Sequence, residues 1–344
     1  MITIGRRIIS EESPAYIIAE AGVNHNGSIE MAEKLIEAAY YAGADAVKFQ
    51  TFKSELLVSK SAQKADYQLT DESDGDKQFD MLKGLELTFE EFAHLQRVCH
   101  SKGIEFLSTP FDIESARFLN NLGLHAFKIG SGDLTNLPLL AEIGSFQKPL
   151  ILSTGMSNLA DIEDAIHSIR HPAIALLHCT SSYPAPYDEL NLLAIPAMKH
   201  AFQKIVGYSD HTSGMEAAVS SISIGAKIIE KHITLDRLLP GPDHKASLTP
   251  EQFAEYTAAI RRTEKMLGDG KKRCMPSEKN TRTAARKSLI ASSPLCSGDI
   301  ISPDTLTIKR PGNGIPPKYL PFVTGRKINK DKQADEPLDW NDLS

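Results

Sequence analysis

Two stretches in the second half of the chain place metal-binding and proton-moving side chains at the ends of apolar runs. One is Lys227-Ile228-Ile229-Glu230-Lys231-His232-Ile233-Thr234, and the other is Val206-Gly207-Tyr208-Ser209-Asp210-His211. Alternate side chains of a strand share a face, so Glu230 points with His232 and Ser209 points with His211. Two imidazoles and a carboxylate converging on one spot suit either a divalent cation or acid-base catalysis. One histidine alone would more simply hydrogen-bond to its neighbours. Two at matched strand ends favour the chemical reading.

Matched ends require a repeating architecture, and from Tyr16 onward the chain supplies one. Eight apolar runs of strand length are expected at Tyr16 to Gly22, Ala44 to Thr51, Glu105 to Thr109, Ala126 to Ser131, Pro149 to Thr154, Ile174 to Thr180, Ile205 to His211 and Lys227 to Thr234. Helix starts punctuate the intervals. Ser28 precedes the helical spacing Met31, Leu35, Ile36, Ala39; Thr88-Phe89-Glu90-Glu91 and Asn158 with Asp161 read as capping boxes; Ser213 to Glu216 reads as a cap; and Thr249-Pro250-Glu251-Gln252 opens the closing helix. Near-continuous apolar strands alternating with helices predict a buried parallel sheet. Their number favours closure into a (β/α)8 TIM barrel over an open doubly wound sheet.

The rhythm is interrupted once, by a long polar stretch from Lys53 to about Leu87, and a loop of that length usually serves a site or a partner. Ahead of the first strand lies a short β-rich segment, Ile2 to Ile9. Neither a GxGxxG nor a GxxxxGK[ST] pattern occupies a strand-to-helix turn, which weakens a nucleotide-binding alternative. From Gly268 the composition turns polar and basic. The expected organisation is a barrel over 1–267, a linker over 268–283, and a small β-rich domain over 284–344 punctuated by Pro303-Asp304 and Pro311-Gly312-Asn313-Gly314.

With 344 residues, 41% hydrophobic and 24% charged, the chain can bury a large core. Its net charge of −6 speaks against nucleic acid as a partner. The four cysteines, Cys99, Cys179, Cys274 and Cys296, form no CxxC pair and suit a reducing compartment, with Cys179 reading as a small buried hydrophobe. No segment has the apolar length of a signal peptide core or a membrane span, so a cytoplasmic protein is expected.

Barrel chemistry belongs at the C-terminal strand ends. In chain order those ends carry Glu20, Lys48 with Gln50, Thr109, Lys128 with Ser131, Ser153, His178 through Ser182, Ser209 with His211, and Glu230 with His232. Two lysines among several hydroxyls suit a small phosphate or carboxylate, although each lysine alone could be no more than a salt-bridge partner. The residues therefore imply metal-assisted chemistry on a small anionic substrate.

The chain also resembles the sialic acid synthase family along nearly its whole length. The likeness is carried, in order, by Glu20-Ala21-Gly22-Val23-Asn24-His25-Asn26-Gly27, Val47-Lys48-Phe49-Gln50-Thr51-Phe52, Ser108-Thr109-Pro110-Phe111, Lys128-Ile129-Gly130-Ser131-Gly132, Ser153-Thr154-Gly155-Met156, His178-Cys179-Thr180, Ser209-Asp210-His211, Gly241-Pro242-Asp243-His244 and Lys309-Arg310-Pro311-Gly312-Asn313-Gly314. The C-terminal part resembles that family's antifreeze-like (SAF, β-clip) domain. The resemblance implies condensation of phosphoenolpyruvate with an N-acylated hexose such as N-acetylmannosamine, with release of phosphate, supported by Mn2+, Mg2+ or Co2+.

By the same resemblance, His211 and His232 hold the ion. Lys48, Thr109, Lys128, Ser131, Ser153 and Ser209 hold phosphoenolpyruvate, Ser181 joins the substrate-binding residues, Glu20 and Glu230 act as acid-base or electrostatic groups, and Gln50, Tyr183 and Asp243 contact sugar hydroxyls or the metal-side water. Arg310 would reach the N-acyl carbonyl in a neighbour's site, which implies a domain-swapped homodimer. Ser181 departs from the asparagine of some members. The segment Leu57 to Gln68, Phe49 and His244 sit closer to the bacterial N-acetylneuraminate and diacetyllegionaminate synthases than to the pseudaminate branch. The competing enzyme class is a Schiff-base aldolase using Lys128 or Lys48 as the amine.

Overall fold

The computed structural model describes residues 1–64, 77–171 and 173–344. The chain separates into two compact units, Met1–Gly268 and Asp269–Ser344.

In the larger unit, eight parallel strands form a near-closed barrel. They are β3 (Tyr16–Gly22), β4 (Ala46–Thr51), β5 (Glu105–Pro110), β6 (Phe127–Ile129), β7 (Leu150–Ser153), β8 (Ile174–Cys179), β9 (Ile205–Asp210) and β10 (Ile228–His232). Their order is β5-β4-β3-β10-β9-β8-β7-β6, and β5 and β6 meet without a hydrogen-bonded ladder among the described residues. Every residue of β3, β6, β7, β9 and β10 is buried, as helices covering a parallel sheet require.

The other end of the barrel is sealed by a hairpin of β1 (Ile2–Ile4) and β2 (Arg7–Ile9). Its Ile2, Ile4 and Ile9 join Ile18, Leu107, Ile151, Leu177 and Ile228 in one apolar cluster.

The helix starts mostly follow the expected caps. Ser28 caps α1 (Ile29–Tyr41), Thr88 and Glu91 form a capping box on α4 (Phe89–Lys102), Asn158 and Asp161 do so on α7 (Leu159–Ile169), and Thr249 with Gln252 opens α10 (Pro250–Leu267). The Ser213 cap is corrected. Helix α9 spans Glu216–Ser223 with Met215 at its N-cap and no side-chain cap bond. The turn after β9 is instead closed by the Asp210 carboxylate, which accepts from the Thr212 amide and hydroxyl. One helix not anticipated, α8 (Ala194–Phe202), buries Ile195 and Met198.

The long stretch after β4 contributes α2 (Ser54–Leu57) and α3 (Gln78–Leu85); residues 65–76 of it lie outside the described residues. Among the described residues, no helix is long and apolar enough to cross a membrane.

The small unit pairs β11 (Ser288–Ala291) antiparallel with β12 (Leu306–Lys309) around Leu289, Leu295, Ile301, Ile315, Val323, Ile328 and Leu338. Residues 279–285, within and just beyond the stretch expected as linker, form helix α11 (Lys279–Ala285).

Candidate active site

Strand register explains why distant residues meet. In the parallel ladders His232 lies beside Glu20, and Glu20 beside Lys48. Likewise Glu230 lies beside Ser209, and Ser209 beside Cys179. Paired positions share a face, so these rows all enter the barrel mouth. Lys231, one residue out of phase, points to the opposite face and pairs with Asp210 at 3.1 Å.

The mouth is a cavity of about 750 Å3. Glu20, Lys48, Gln50, Thr109, Lys128, Ser131, Ser153, Ser181, Tyr183, Ser209, His211, Glu230, His232 and Asp243 all line it. Arg310 belongs to the small unit, where its exposed guanidinium donates from Nε to the Ala285 carbonyl at 3.1 Å.

The lysines and acids form one buried charge cluster. Lys48 Nζ sits 2.6 Å from Glu20 and 3.8 Å from Glu230, and it donates to Thr109 Oγ1 at 3.1 Å. Lys128 Nζ sits 3.1 Å from Glu230, which also accepts from Ser209 Oγ at 3.2 Å. The two acids are driven apart. Burial, helped by the charge on Glu230, pushes the Glu20 carboxyl up to about 7 against the pull of Lys48. Burial also works against the charge on Glu230, but Lys128 and Lys48 outweigh it and hold that carboxyl low. Lys48 loses to burial less than it gains from the facing acids, so its ammonium is held on, whereas burial lowers Lys128. A carboxyl near neutrality beside one kept ionised is the arrangement that divides acid-base from electrostatic work.

The imidazoles lie together across the mouth. The rings of His211 and His232 have centroids 5.8 Å apart, and Tyr183 packs against both. Burial pushes both histidines down, and for His232 the His211 and Lys48 charges add to it, so both keep free lone pairs. Nδ1 of His211 meets the Thr180 carbonyl at 2.9 Å, which places its proton there and frees Nε2. Nδ1 of His232 is buried without a hydrogen-bond partner among the described residues, 3.9 Å from Asp243 Oδ2. Burial raises Asp243 to about 6.

Such a donor set fits a divalent ion of nitrogen and oxygen preference. Among the described residues no group of three or more His, Cys, Asp or Glu is arranged to hold a metal. An ion on the two histidines would therefore complete its shell from water and substrate.

On the far side, Ser131, Ser153 and Ser181 gather around the turn after β7. Ser131 Oγ accepts from the Gly155 amide at 3.0 Å and lies 3.1 Å from Cys179 Sγ, and Ser153 Oγ is buried without a partner among the described residues. A Cβ on Gly155 would stand 2.3 Å from Ser181 Oγ and 2.9 Å from Ser131 Oγ, so only glycine leaves this hydroxyl cluster open. Sequence reasoning did not assign Gly155 a role. A glycine two positions past a strand-end serine was the signal.

Two further groups escaped it. Leu57, Met81, Leu82 and Leu85 form an apolar wall of the same cavity, packed with Val23 and Phe111. The expectation that the long stretch serves the site foreshadows them without naming residues. A buried network also fixes the loop that carries Asp243. His244 bridges Thr234 Oγ1 at 2.7 Å and Asn26 Oδ1 at 3.1 Å, Asn26 donates to the Pro240 carbonyl, and Ser247 Oγ donates to the Asp243 carbonyl at 2.6 Å.

Comparison with known proteins completes the assignment. The NeuB family model matches residues 35–272 and the SAF domain model matches 286–344. N,N'-diacetyllegionaminic acid synthase of Campylobacter jejuni is 46% identical over 327 residues, 93% of this chain and 97% of that protein. The enzyme of the same name from Legionella pneumophila is 42% identical, covering 95% and 94%. Among solved structures, N-acetylneuraminic acid synthetase of Leptospira borgpetersenii, in complex with citrate, superposes with a TM-score of 0.72 at 35% identity, covering 81% of this chain and 94% of that one. The chain therefore belongs to the NeuB family of sialic and legionaminic acid synthases, enzymes of the condensing type, and carries a SAF domain C-terminal to its barrel in sequence.

Proposed function

We propose that this enzyme condenses phosphoenolpyruvate with the open-chain aldehyde of an N-acylated hexose, N-acetylmannosamine or its diacylated relative, to give a nonulosonate and phosphate. The observation that carries the reading is the meeting, in one 750 Å3 cavity, of two lysines, a cluster of hydroxyls, and two imidazoles.

Lys48 and Lys128 supply positive charge for the phosphate and carboxylate of phosphoenolpyruvate, and Thr109, Ser131, Ser153, Ser181 and Ser209 supply directional hydrogen bonds. Ser153, with an unused buried hydroxyl, is poised for a ligand oxygen. Glu20, near neutrality, can hold or release a proton at the mouth, while Glu230 stays ionised and faces the positive charge that develops when the enol carbon bonds to the aldehyde. Water then loses a proton as it adds to the adjacent phosphate-bearing carbon, where that positive charge sits, and the tetrahedral centre so formed expels phosphate with cleavage of its C–O bond.

His211 and His232 would hold a Mn2+, Mg2+ or Co2+ ion, which as a Lewis acid would polarise the aldehyde oxygen. Tyr183 packs edge-on against the His232 ring and at a tilt against the His211 ring, limiting how both can turn, and Asp243 and Gln50 face the sugar side. The chain would work as a domain-swapped homodimer in which the partner's Arg310 reaches the acyl group.

A Schiff-base aldolase would need a free amine, and Lys48 and Lys128 each pair with a carboxylate. The test is phosphate release from phosphoenolpyruvate with a panel of N-acylated hexoses, with and without Mn2+. Metal-dependent phosphate release supports the synthase. A borohydride-trapped pyruvate adduct without phosphate release sinks it.

A further inference from the structure

Cys179 is the last residue of β8 and is only 5% exposed, so by burial alone it would be a small apolar filler. It nevertheless lines the cavity, where three neighbouring strand ends meet. Ser131 follows β6, Gly155 follows β7, and Cys179 closes β8. Ser131 Oγ accepts the Gly155 amide at 3.0 Å and has Cys179 Sγ at 3.1 Å, whereas Ser181 Oγ is farther from that sulfur, at 3.9 Å. A Cβ on Gly155 would stand 2.8 Å from the sulfur, so the glycine keeps room for the thiol as well as for the hydroxyls.

A serine hydroxyl has two lone pairs and one hydrogen. The Gly155 amide can only donate, so it occupies one lone pair. The thiol can act either way. If it accepts, the serine hydrogen goes to a weak acceptor; if it donates, the second lone pair is filled and the hydrogen is left for the cavity. A bound anion decides between the two, because it only accepts and its hydrogen bonds are roughly twice as strong as neutral ones.

We infer that Cys179 is a positioning residue for the anionic substrate: its thiol donates to Ser131 Oγ and so makes Ser131 a dedicated donor toward a phosphate or carboxylate oxygen. The inference rests on the function proposed above and adds to it a residue that acts through Ser131. A thiol kept only to fill space makes a different demand. Alanine or valine would meet that demand, and serine, which buries a more polar group, would meet it less well.

The experiment titrates phosphoenolpyruvate calorimetrically into the native chain and its variants in the presence of Mn2+, and follows phosphate release on the same preparations with an N-acylated hexose. Ser131→Ala should weaken phosphoenolpyruvate binding roughly tenfold or more. Cys179→Ala and Cys179→Val should weaken it roughly threefold to tenfold, with kcat at saturating phosphoenolpyruvate nearly unchanged. Cys179→Ser should bind within about twofold of the native chain, because it restores the donor. In a Ser131→Ala background, Cys179→Ala should weaken binding no further, with thermal unfolding confirming that each variant folds. Native affinity in Cys179→Ala, a serine variant weaker than the alanine one, or losses that simply add in the double variant overturn the inference while the synthase reading stands. If the native chain neither binds phosphoenolpyruvate nor releases phosphate from it, the synthase reading falls and the inference falls with it.

Discussion

Strands β9 and β10 bury charged groups on both of their faces, and the charged groups of the two faces are finished differently. On the outer face Lys231 pairs with Asp210 and donates to the Thr212 carbonyl, while Asp210 accepts from Thr212 and from the Tyr256 hydroxyl at 2.8 Å. On the inner face Glu230 and Glu20 compete for Lys48, and among the described residues His232 Nδ1 lacks a hydrogen-bond partner, as does Ser153 Oγ across the mouth. The named side chains of both faces are buried, so the difference is not one of exposure. A closed network holds a fold together, whereas groups left open inside a cavity hold the shape of something that binds.

The sharpest break of this comparison is His232→Ala. Turnover should fall to background, while the thermal midpoint stays close to that of the native chain, because the removed ring leaves no buried partner unsatisfied. Retained turnover would remove any metal role for the inner face.

Lys231→Met should do the reverse. It strands the Asp210 carboxylate in the core, and losing one partner of a buried pair costs about 3 to 5 kcal/mol. Denaturant unfolding should show that loss. Comparable stability would mean that the outer pair is not structural.

The third test uses pH. Glu20 has its carboxyl raised to about 7, so the folded state holds that proton more tightly than the unfolded chain does. Its contribution to stability is complete below the ordinary carboxyl range and is lost as pH rises through about 7. The pH profile of kcat/KM should show a limb near that value. Glu20→Gln should abolish the limb and lower kcat/KM roughly a hundredfold. A profile with the limb unchanged would assign it to another group.

How much of this was legible beforehand follows from the same alternation. Period-two patterning is enough to send Glu230 and His232 one way and Lys231 the other, and strand counting is enough for the barrel. The row His232, Glu20, Lys48 needs ladder register, which links positions far apart in the chain and leaves no local mark. Ser213 failed as a cap because the tertiary Asp210–Thr212 turn took over the loop that local spacing had allotted to the helix. Leu57, Met81, Leu82 and Leu85 stayed hidden for a related reason. They sit in a mostly polar stretch, and their common wall exists only once α2 and α3 fold over the strand ends.

The smallest expected effect bears most directly on what an open group means. Ser153 is buried and its hydroxyl has no partner among the described residues, so by stability alone it should be dispensable. Replacing it with alanine removes a polar atom that the fold leaves unpaired, and unfolding should be unchanged or slightly harder. If the hydroxyl waits for a phosphate or carboxylate oxygen, the same change removes one hydrogen bond to a charged ligand, about 1.5 to 3 kcal/mol. Ser153→Ala should then raise KM for phosphoenolpyruvate by roughly tenfold to a hundredfold at nearly constant stability. A gain in stability with an unmoved KM would place the ligand elsewhere in the mouth, and would show that an unsatisfied atom on the inner face can be a tolerated cost of packing rather than the imprint of a substrate.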